Sequence, residues 1–146
     1  MRAKLFVDTW GWLTLNDQRE SQHQKVVELY KSFRSQAGEI YTTDYVLDET
    51  FTLFFKRLIS KQAQRSMTIL INVFKEENFN LIRITPERFA QTQALRIKYI
   101  DKPQISFTDL TSMVVMKEFG IEAVLTGDSH FTQVGMGFQK TPETFG

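Results

Sequence analysis

Short apolar segments alternate along this chain with longer segments whose apolar residues recur every three or four positions. The short segments end at glycine, asparagine, proline or aspartate and are typical of strands, whereas the longer ones are typical of amphipathic helices. This alternation predicts a parallel sheet with helices on both faces. The predicted strands are 4–8, 39–43, 80–84, 122–126 and 137–140, and the predicted helices are 20–36, 44–59, 61–77, 87–99 and 108–119.

The length and composition predict a single folded domain. A chain of 146 residues has the commonest size for one domain and can bury about two-thirds of its unfolded surface. Hydrophobic residues make up 42% of the chain, and 13 residues are phenylalanine, which argues against disorder. The sequence has no internal repeat, low-complexity segment or linker, so residues 1–146 are expected to form one domain.

Charge and cysteine content narrow the possible partners and chemistries. Lys and Arg number 18 against 17 Asp and Glu, a net charge of +1, so nucleic acid could be bound only through local basic patches. The chain has no cysteine, which excludes disulfides, thiolate metal sites and a cysteine nucleophile. Two basic clusters are candidates for phosphate contact, with an ordinary solvated helix face as the alternative: Lys56, Arg57, Lys61 and Arg65, and Arg96, Lys98 and Lys102.

The beginning of the chain does not resemble a targeting segment. It lacks a sustained apolar stretch before a small-residue cleavage site. No window of the sequence approaches 18 uncharged apolar residues. We therefore expect a cytoplasmic protein with no membrane association.

Four acidic residues occur where predicted strands end or predicted helices begin. Asp8 and Asp128 follow apolar strands, Asp109 lies near the start of a helix, and Glu49 lies within one. In parallel α/β sheets, ligands bind outside the carboxyl ends of the strands, where these acids are expected to gather. Carboxylates gathered in this way repel one another unless a cation or shared protons offset their charge. Hard oxygen ligands favour Mg²⁺ or Mn²⁺ at such a site.

Three of these acids also have a purely structural explanation. Asp8 is suited to the N-cap of a helix starting at Trp10. Asp109 completes the capping-box pattern that starts at Ser106. Asp128 is suited to a Gly-Asp turn. If Asp109 binds metal, we expect Ser106 or Thr108 to cap the helix without its help.

The sequence pattern leaves open the roles of three residues in or near these motifs. Neither Glu49 nor Asp48 lies at the centre of the apolar stripe of its helix, so periodicity does not choose between them, and the alternative for either is a solvated surface acid. His130 lies close to Asp128, but a lone histidine is ordinarily a surface residue or satisfied by a neighbour. No second histidine stands at helical spacing from it, so a zinc site is not expected.

The ordered motifs FVDT, TTDYVLDE, SFTD and LTGDSHF resemble those of the PIN domain, most closely its compact toxin-type ribonucleases of bacteria and archaea. The resemblance covers essentially the whole chain and implies a three-layer α/β/α sandwich with a parallel β-sheet. The V-L-x-E spacing of the second motif favours Glu49 over Asp48. The resemblance implies a site for one or two Mg²⁺ or Mn²⁺ ions, formed by Asp8, Glu49, Asp109 and Asp128 and supported by the hydroxyls of Thr9 and Thr126.

The same resemblance implies a divalent-metal-dependent endoribonuclease, the toxin of a type II toxin–antitoxin pair, which hydrolyses RNA to leave a 5′ phosphate and a 3′ hydroxyl. Its expected partners are RNA, a cognate antitoxin and a second copy of the chain in a homodimer. The alternative is a noncatalytic PIN-fold module that binds protein or RNA, which the loss of an acid would favour. A third hypothesis is a phosphatase of another acid-rich α/β fold. Such enzymes usually have a second aspartate two residues after the nucleophile, and Trp10 at that position argues against this hypothesis.

Several aromatic residues are candidates for contacts with a substrate or partner. Trp10 and Trp12 stand where the family often has small polar residues. They could stack on a base, or pack against a helix or a dimer partner. Phe51, Phe54 and Phe55 are candidates for an apolar groove covered by an antitoxin segment, with the core as the alternative.

Overall fold

The computed structural model describes residues 2–143, which form a five-stranded parallel sheet and seven helices. None of the helices in this part of the chain is long and apolar enough to cross a membrane. The elements are β1 (Lys4–Val7), α1 (Thr9–Asn16), α2 (His23–Ser35), β2 (Glu39–Thr43), α3 (Asp44–Arg57), α4 (Ser60–Val73), β3 (Phe79–Ile82), α5 (Pro86–Lys98), α6 (Phe107–Glu118), β4 (Ala123–Leu125), α7 (His130–Gln133) and β5 (Gln139–Thr141).

The central strand β1 is buried on both faces. Leu5, Phe6 and Val7 are each exposed by 1% or less, and successive side chains of a strand point to opposite faces of the sheet. Both faces of β1 are therefore covered. The predicted α/β class and the parallel sheet are confirmed.

The strand order places a crevice beside β1. The order is β3-β2-β1-β4-β5, and all neighbouring strands are parallel. The chain therefore runs from β1 to β2 and β3 on one side of β1, and then crosses from β3 to β4 and β5 on its other side. Ligands of open α/β sheets bind where the strand order reverses in this way, outside the carboxyl ends of the strands. Asp8 follows β1 at this point, and Asp128 follows β4.

Two short helices, α1 and α7, do not appear among the helices predicted from periodicity. Most residues of α1 are buried, namely Thr9, Gly11, Trp12, Leu13 and Thr14, so it lacks the polar face that makes a helix recognisable in a sequence. The four residues of α7 are too few to show a helical period. All the strands and helices that were predicted are present, with ends shifted by up to a few residues.

Gly11 lets α1 lie directly against the ends of β1 and β4. A Cβ atom at this position would lie 2.8 Å from Cγ1 of Val7 and 3.0 Å from the carbonyl oxygen of Leu125. A larger residue would push the helix away from the sheet, because close-packed interiors leave no room for extra atoms. The start of α1, with Asp8 and Thr9, is therefore held close to the strand ends.

Arg96 holds the turn between α5 and α6. Its guanidinium donates hydrogen bonds to the carbonyl oxygens of Tyr99, Lys102 and Ile105. The side chain of Ile105 is fully buried and anchors the end of this turn next to α6. Arg96 is thus used within the fold, which argues against the hypothesis that it contacts phosphate.

Two of the aromatic candidates lie in the hydrophobic core. Trp12 is 1% exposed, and its indole N–H donates to the Thr42 hydroxyl over 3.2 Å. Phe54 is fully buried and Phe51 is partly buried, whereas Phe55 is 46% exposed. Base stacking by Trp12 and a place for Phe54 in an exposed groove are therefore both excluded.

Candidate active site

Asp8 is a buried acid whose side chain points toward β4. Its Oδ2 atom accepts a hydrogen bond of 3.0 Å from the Thr126 hydroxyl, and it makes no helix-capping hydrogen bond to α1. Burial and the nearby charges of Asp109 and Asp128 raise the pKa of Asp8 to about 7, against the lowering effect of hydrogen bonds from Thr9 and Thr126. Capping therefore does not explain this carboxyl group.

Asp109 also turns its carboxyl group toward the strand ends. Ser106 caps α6 by accepting a hydrogen bond of 3.0 Å from the backbone N–H of Asp109, which is the serine half of the capping-box pattern. The Oδ2 atom of Asp109 lies 3.0 Å from Nδ1 of His130. Burial raises the pKa of Asp109, the hydrogen bond with His130 lowers it, and the charge of Asp128 raises it.

Asp128 combines the predicted turn with a position in the acidic cluster. Its Oδ1 atom accepts a hydrogen bond of 2.9 Å from the backbone N–H of His130, which is the pattern of an Asx turn. Its own backbone N–H donates to the Thr126 hydroxyl over 3.5 Å. Because the same hydroxyl donates to Asp8, Thr126 links the ends of β1 and β4.

The structure separates Glu49 from Asp48. Partial desolvation raises the pKa of Glu49, the nearby Thr9 side chain lowers it, and the charges of Asp109, Asp48 and Asp128 raise it. Asp48 instead lines a groove with Phe51 on another face of α3. Glu49 is therefore the acid of α3 that shares the electrostatic environment of the cluster.

His130 belongs to the same cluster, although the sequence pattern assigned it no role. Donor atoms of Asp109, Asp128 and His130 all lie within 4.8 Å of one another, and Nδ1 of His130 is 3.6 Å from Oδ1 of Asp128. The sequence held one indication of this role, because His130 is two residues after Asp128 and an Asx turn brings residue i+2 close to the aspartate carboxylate. The direction of the imidazole ring could not be read from that spacing.

We predict that His130 orients Asp109 for cation binding. Replacing His130 with alanine should weaken Mn²⁺ binding by about 10- to 100-fold, the loss typical of a hydrogen-bonding partner of a metal ligand. Asparagine offers an amide donor close to the position of Nδ1, so His130→Asn should retain more of the affinity. Titration calorimetry with Mn²⁺ in the absence of RNA measures both effects.

A matched control for this prediction is the second histidine, His23. Its Nδ1 atom lies 2.7 Å from the carbonyl oxygen of Thr14, and it lines a groove beside the C-terminal end of α1. His23→Ala should leave Mn²⁺ affinity unchanged. Equal losses in the two alanine variants would show that His130 has no specific role.

The residues present at the strand ends fit a hard divalent cation. Burial raises the pKa of three of the four predicted acids, and mutual repulsion raises it further. A cation among them would relieve this repulsion and favour their ionised forms. Carboxylate oxygens are also the ligands that Mg²⁺ and Mn²⁺ prefer.

Comparisons with known proteins agree with this architecture. The model of the PIN domain family matches residues 5–136, a range that contains all four predicted acids. The 23S rRNA-specific endonuclease VapC20 of Mycobacterium tuberculosis is 28% identical over 132 residues, which cover 90% of this chain and 94% of that protein.

Solved structures show the same fold. The crystal structure of M. tuberculosis VapC20, described as a sarcin-ricin-loop-cleaving toxin, gives a TM-score of 0.76 at 25% identity and covers 90% of this chain and 95% of its own. VapBC2 from Rickettsia felis, bound to a DNA fragment from its promoter, gives 0.66 at 14% identity and covers 94% and 96% of the two chains. The family match spans most of the chain and the strand ends carry the acids, so the sequence-based identification is confirmed: the chain belongs to the PIN domain family.

Proposed function

We propose that this protein is a divalent-metal-dependent endoribonuclease that acts as the toxin of a type II toxin–antitoxin pair. The observation that carries the proposal is the gathering of acids from β1, α3, α6 and the end of β4 at one edge of the sheet. The similarity to a named rRNA endonuclease and toxin supports RNA as the substrate.

In this proposal, four carboxylates hold Mg²⁺ or Mn²⁺: Asp8, Glu49, Asp109 and Asp128. When bound, such a cation supplies Lewis-acid chemistry, which neutralises phosphate charge and makes a water molecule more acidic. The chain supplies the positions of the ligands. Thr126 orients Asp8 through its 3.0 Å hydrogen bond, and the Thr9 hydroxyl stabilises the ionised form of Glu49.

The proposed reaction is hydrolysis of an RNA phosphodiester bond. The oxygen of water forms a bond to phosphorus, and the bond between phosphorus and the 3′ oxygen breaks. Of the two protons of water, the departing 3′ oxygen gains one and the other is released to the solvent. The products are a 5′ phosphate and a 3′ hydroxyl, and no covalent bond between RNA and protein forms.

We also propose two protein partners, an antitoxin and a second copy of the chain. Three isoleucines are each at least 70% exposed: Ile59 between α3 and α4, Ile97 in α5 and Ile100 after it. Exposed apolar side chains indicate an interaction surface when they are contiguous, and the three-residue spacing of Ile97 and Ile100 makes these two the candidates for one. The similar protein of known crystal structure is described as a toxin, which supports an antitoxin as one partner of this chain.

The decisive experiment measures cleavage of end-labelled RNA. The purified protein is incubated with folded rRNA fragments and with unstructured RNA, in Mg²⁺, in Mn²⁺ or in EDTA. We expect cleavage at defined positions of a folded RNA with either metal and none in EDTA. Because the net charge is only +1, unstructured RNA should be a poor substrate. Equal cleavage in EDTA would contradict the proposal.

A further inference from the structure

A cavity of about 250 Å³ lies beside the acidic cluster. Thr126 lines this cavity and also donates to Asp8, and Gly127, another lining residue, directly precedes Asp128. The cavity and the cluster therefore share a wall at the end of β4. The other lining residues that matter here are Trp10, Lys25, Lys140 and Glu143.

Trp10 forms the aromatic wall of this cavity. The indole is partly exposed and packs in part against the core, and it lies over the backbone of Gly127. A Cβ atom at residue 127 would come within 2.6 Å of Cδ1 of Trp10, so glycine is what allows the ring to lie there. Trp12, two residues later, is 1% exposed. The two tryptophans thus have different roles.

Positive charge lies next to this aromatic ring. The ammonium of Lys140 donates a hydrogen bond of 3.2 Å to the carbonyl oxygen of Gly127, and Lys25 is a second lysine of the cavity. Glu143 contributes one carboxylate to the lining. The cavity therefore combines an aromatic ring with two lysines and lies against a cluster of four acids. A phosphate repelled by those acids is attracted by the lysines.

We propose that this cavity binds an unpaired nucleotide of the RNA substrate, with its base against Trp10 and its phosphate near Lys140. The inference rests on the proposed function and adds what the substrate must present. A base inside a duplex has both faces stacked on its neighbours, whereas an unpaired base is free to stack on an aromatic side chain. The required substrate is therefore an RNA loop, bulge or end next to the scissile phosphate.

Intrinsic fluorescence offers a direct test, because the chain has 2 tryptophans and one of them is buried. RNA is titrated into an Asp8→Asn variant, in which cleavage is expected to be slow, and tryptophan emission is recorded. An RNA hairpin with an unpaired loop should quench the emission, and a fully paired duplex of the same length should not. Trp10→Leu in the same background removes the responsive indole, so its affinity is measured by filter binding, where it should bind the hairpin about 5- to 150-fold more weakly.

Conservative and distant substitutions separate recognition from folding. Trp10→Phe keeps an aromatic ring and should retain most of the binding. Lys140→Gln should weaken binding and reduce the slope of log affinity against log salt by about one unit. Lys75→Gln is the matched control, because Lys75 is exposed and precedes β3 at the opposite edge of the sheet. Lys75→Gln should change neither the affinity for the hairpin nor its salt dependence.

The outcomes also separate this inference from the proposed function. Hairpin binding by Trp10→Leu as tight as that of its parent would overturn the nucleotide site even if the wild-type protein cleaves RNA. An effect of Trp10→Leu on a protein partner alone would overturn it too. Failure of the wild-type protein to cleave any RNA in Mn²⁺ would instead count against the proposed function.

Discussion

Replacing Asp8 with asparagine is expected to reduce RNA cleavage by more than about 100-fold, a loss beyond that typical of residues that only support a metal ligand. Asparagine has nearly the same shape and keeps an oxygen that can accept the hydrogen bond from Thr126. It has no negative charge with which to hold a cation. The fold should therefore persist while activity is lost, which initial cleavage rates over a range of Mn²⁺ concentrations would measure.

Asp48→Asn is the matched control for this variant. Asp48 is exposed, as Glu49 is, but it lines a groove with Phe51 that does not include Glu49, so neutralising it should leave the cleavage rate within about twofold. Glu49→Gln should reduce the rate strongly. If Asp48→Asn were the more damaging change of the two, the assignment of Glu49 would be wrong. Cleavage by Asp8→Asn at the wild-type rate in saturating Mn²⁺ would remove Asp8 from the site.

The metal-free protein is expected to lose stability as the pH rises from about 4 to 7. The pKa of Asp8 rises from 3.8, its ordinary value, to about 7 in the folded state. Between these values the folded state holds a proton that the unfolded state has released, so the free energy of unfolding falls by about 1.4 kcal/mol per pH unit. The raised pKa values of Glu49 and Asp109 act in the same direction.

Three other acids act in the opposite direction but at lower pH. Partners lower the pKa of Asp17, Asp101 and Glu118, so their contribution to stability is lost only as the pH falls below their ordinary values of 3.8 to 4.5. Above pH 4.5, the pH dependence of the free energy of unfolding therefore reflects the acids whose pKa is raised. Urea unfolding in EDTA at several pH values measures the slope.

Asp8→Asn provides the control for this pH dependence. The variant should lose most of the slope, and at pH 8 in EDTA it should be more stable than the wild-type protein. Saturating Mn²⁺ should reverse the wild-type trend, because a cation binds the ionised carboxylates and stabilises the folded state in proportion to the logarithm of its concentration. A wild-type stability that rises between pH 5 and 7 in EDTA would contradict the burial of an uncompensated Asp8.

The sequence predicts part of this site for simple geometric reasons. Asp8 and Asp128 each follow an apolar strand, and parallel strands have their carboxyl ends at one edge, so their proximity can be inferred without coordinates. The role of Asp109 could not be inferred from the sequence pattern, because an aspartate in a capping box and an aspartate that binds metal at a helix start have the same pattern. The structure distinguishes the two by the direction of the Asp109 carboxyl group, which lies 3.0 Å from Nδ1 of His130 while Ser106 caps the helix.

Other parts of the site depend on side-chain directions that no sequence pattern specifies. The helical period left Glu49 and Asp48 equivalent, and the two differ only in which neighbours their carboxyl groups approach. The helix α1 went unrecognised because it is buried on most sides and lacks a polar face. His130 reaches Asp109 across 21 positions of the sequence, a contact that exists only after α6 and α7 have packed together.

The hydrogen bond between Thr126 and Asp8 joins residues 118 positions apart. During synthesis, Asp8 emerges from the ribosome with the first strand, but the hydroxyl that orients it and the acid at position 128 come after β4. Domains of this size fold as units once their elements are available. A nascent or truncated chain that ends before β4 therefore lacks a formed site, and the producing cell meets an active enzyme only after this last part of the site has been translated.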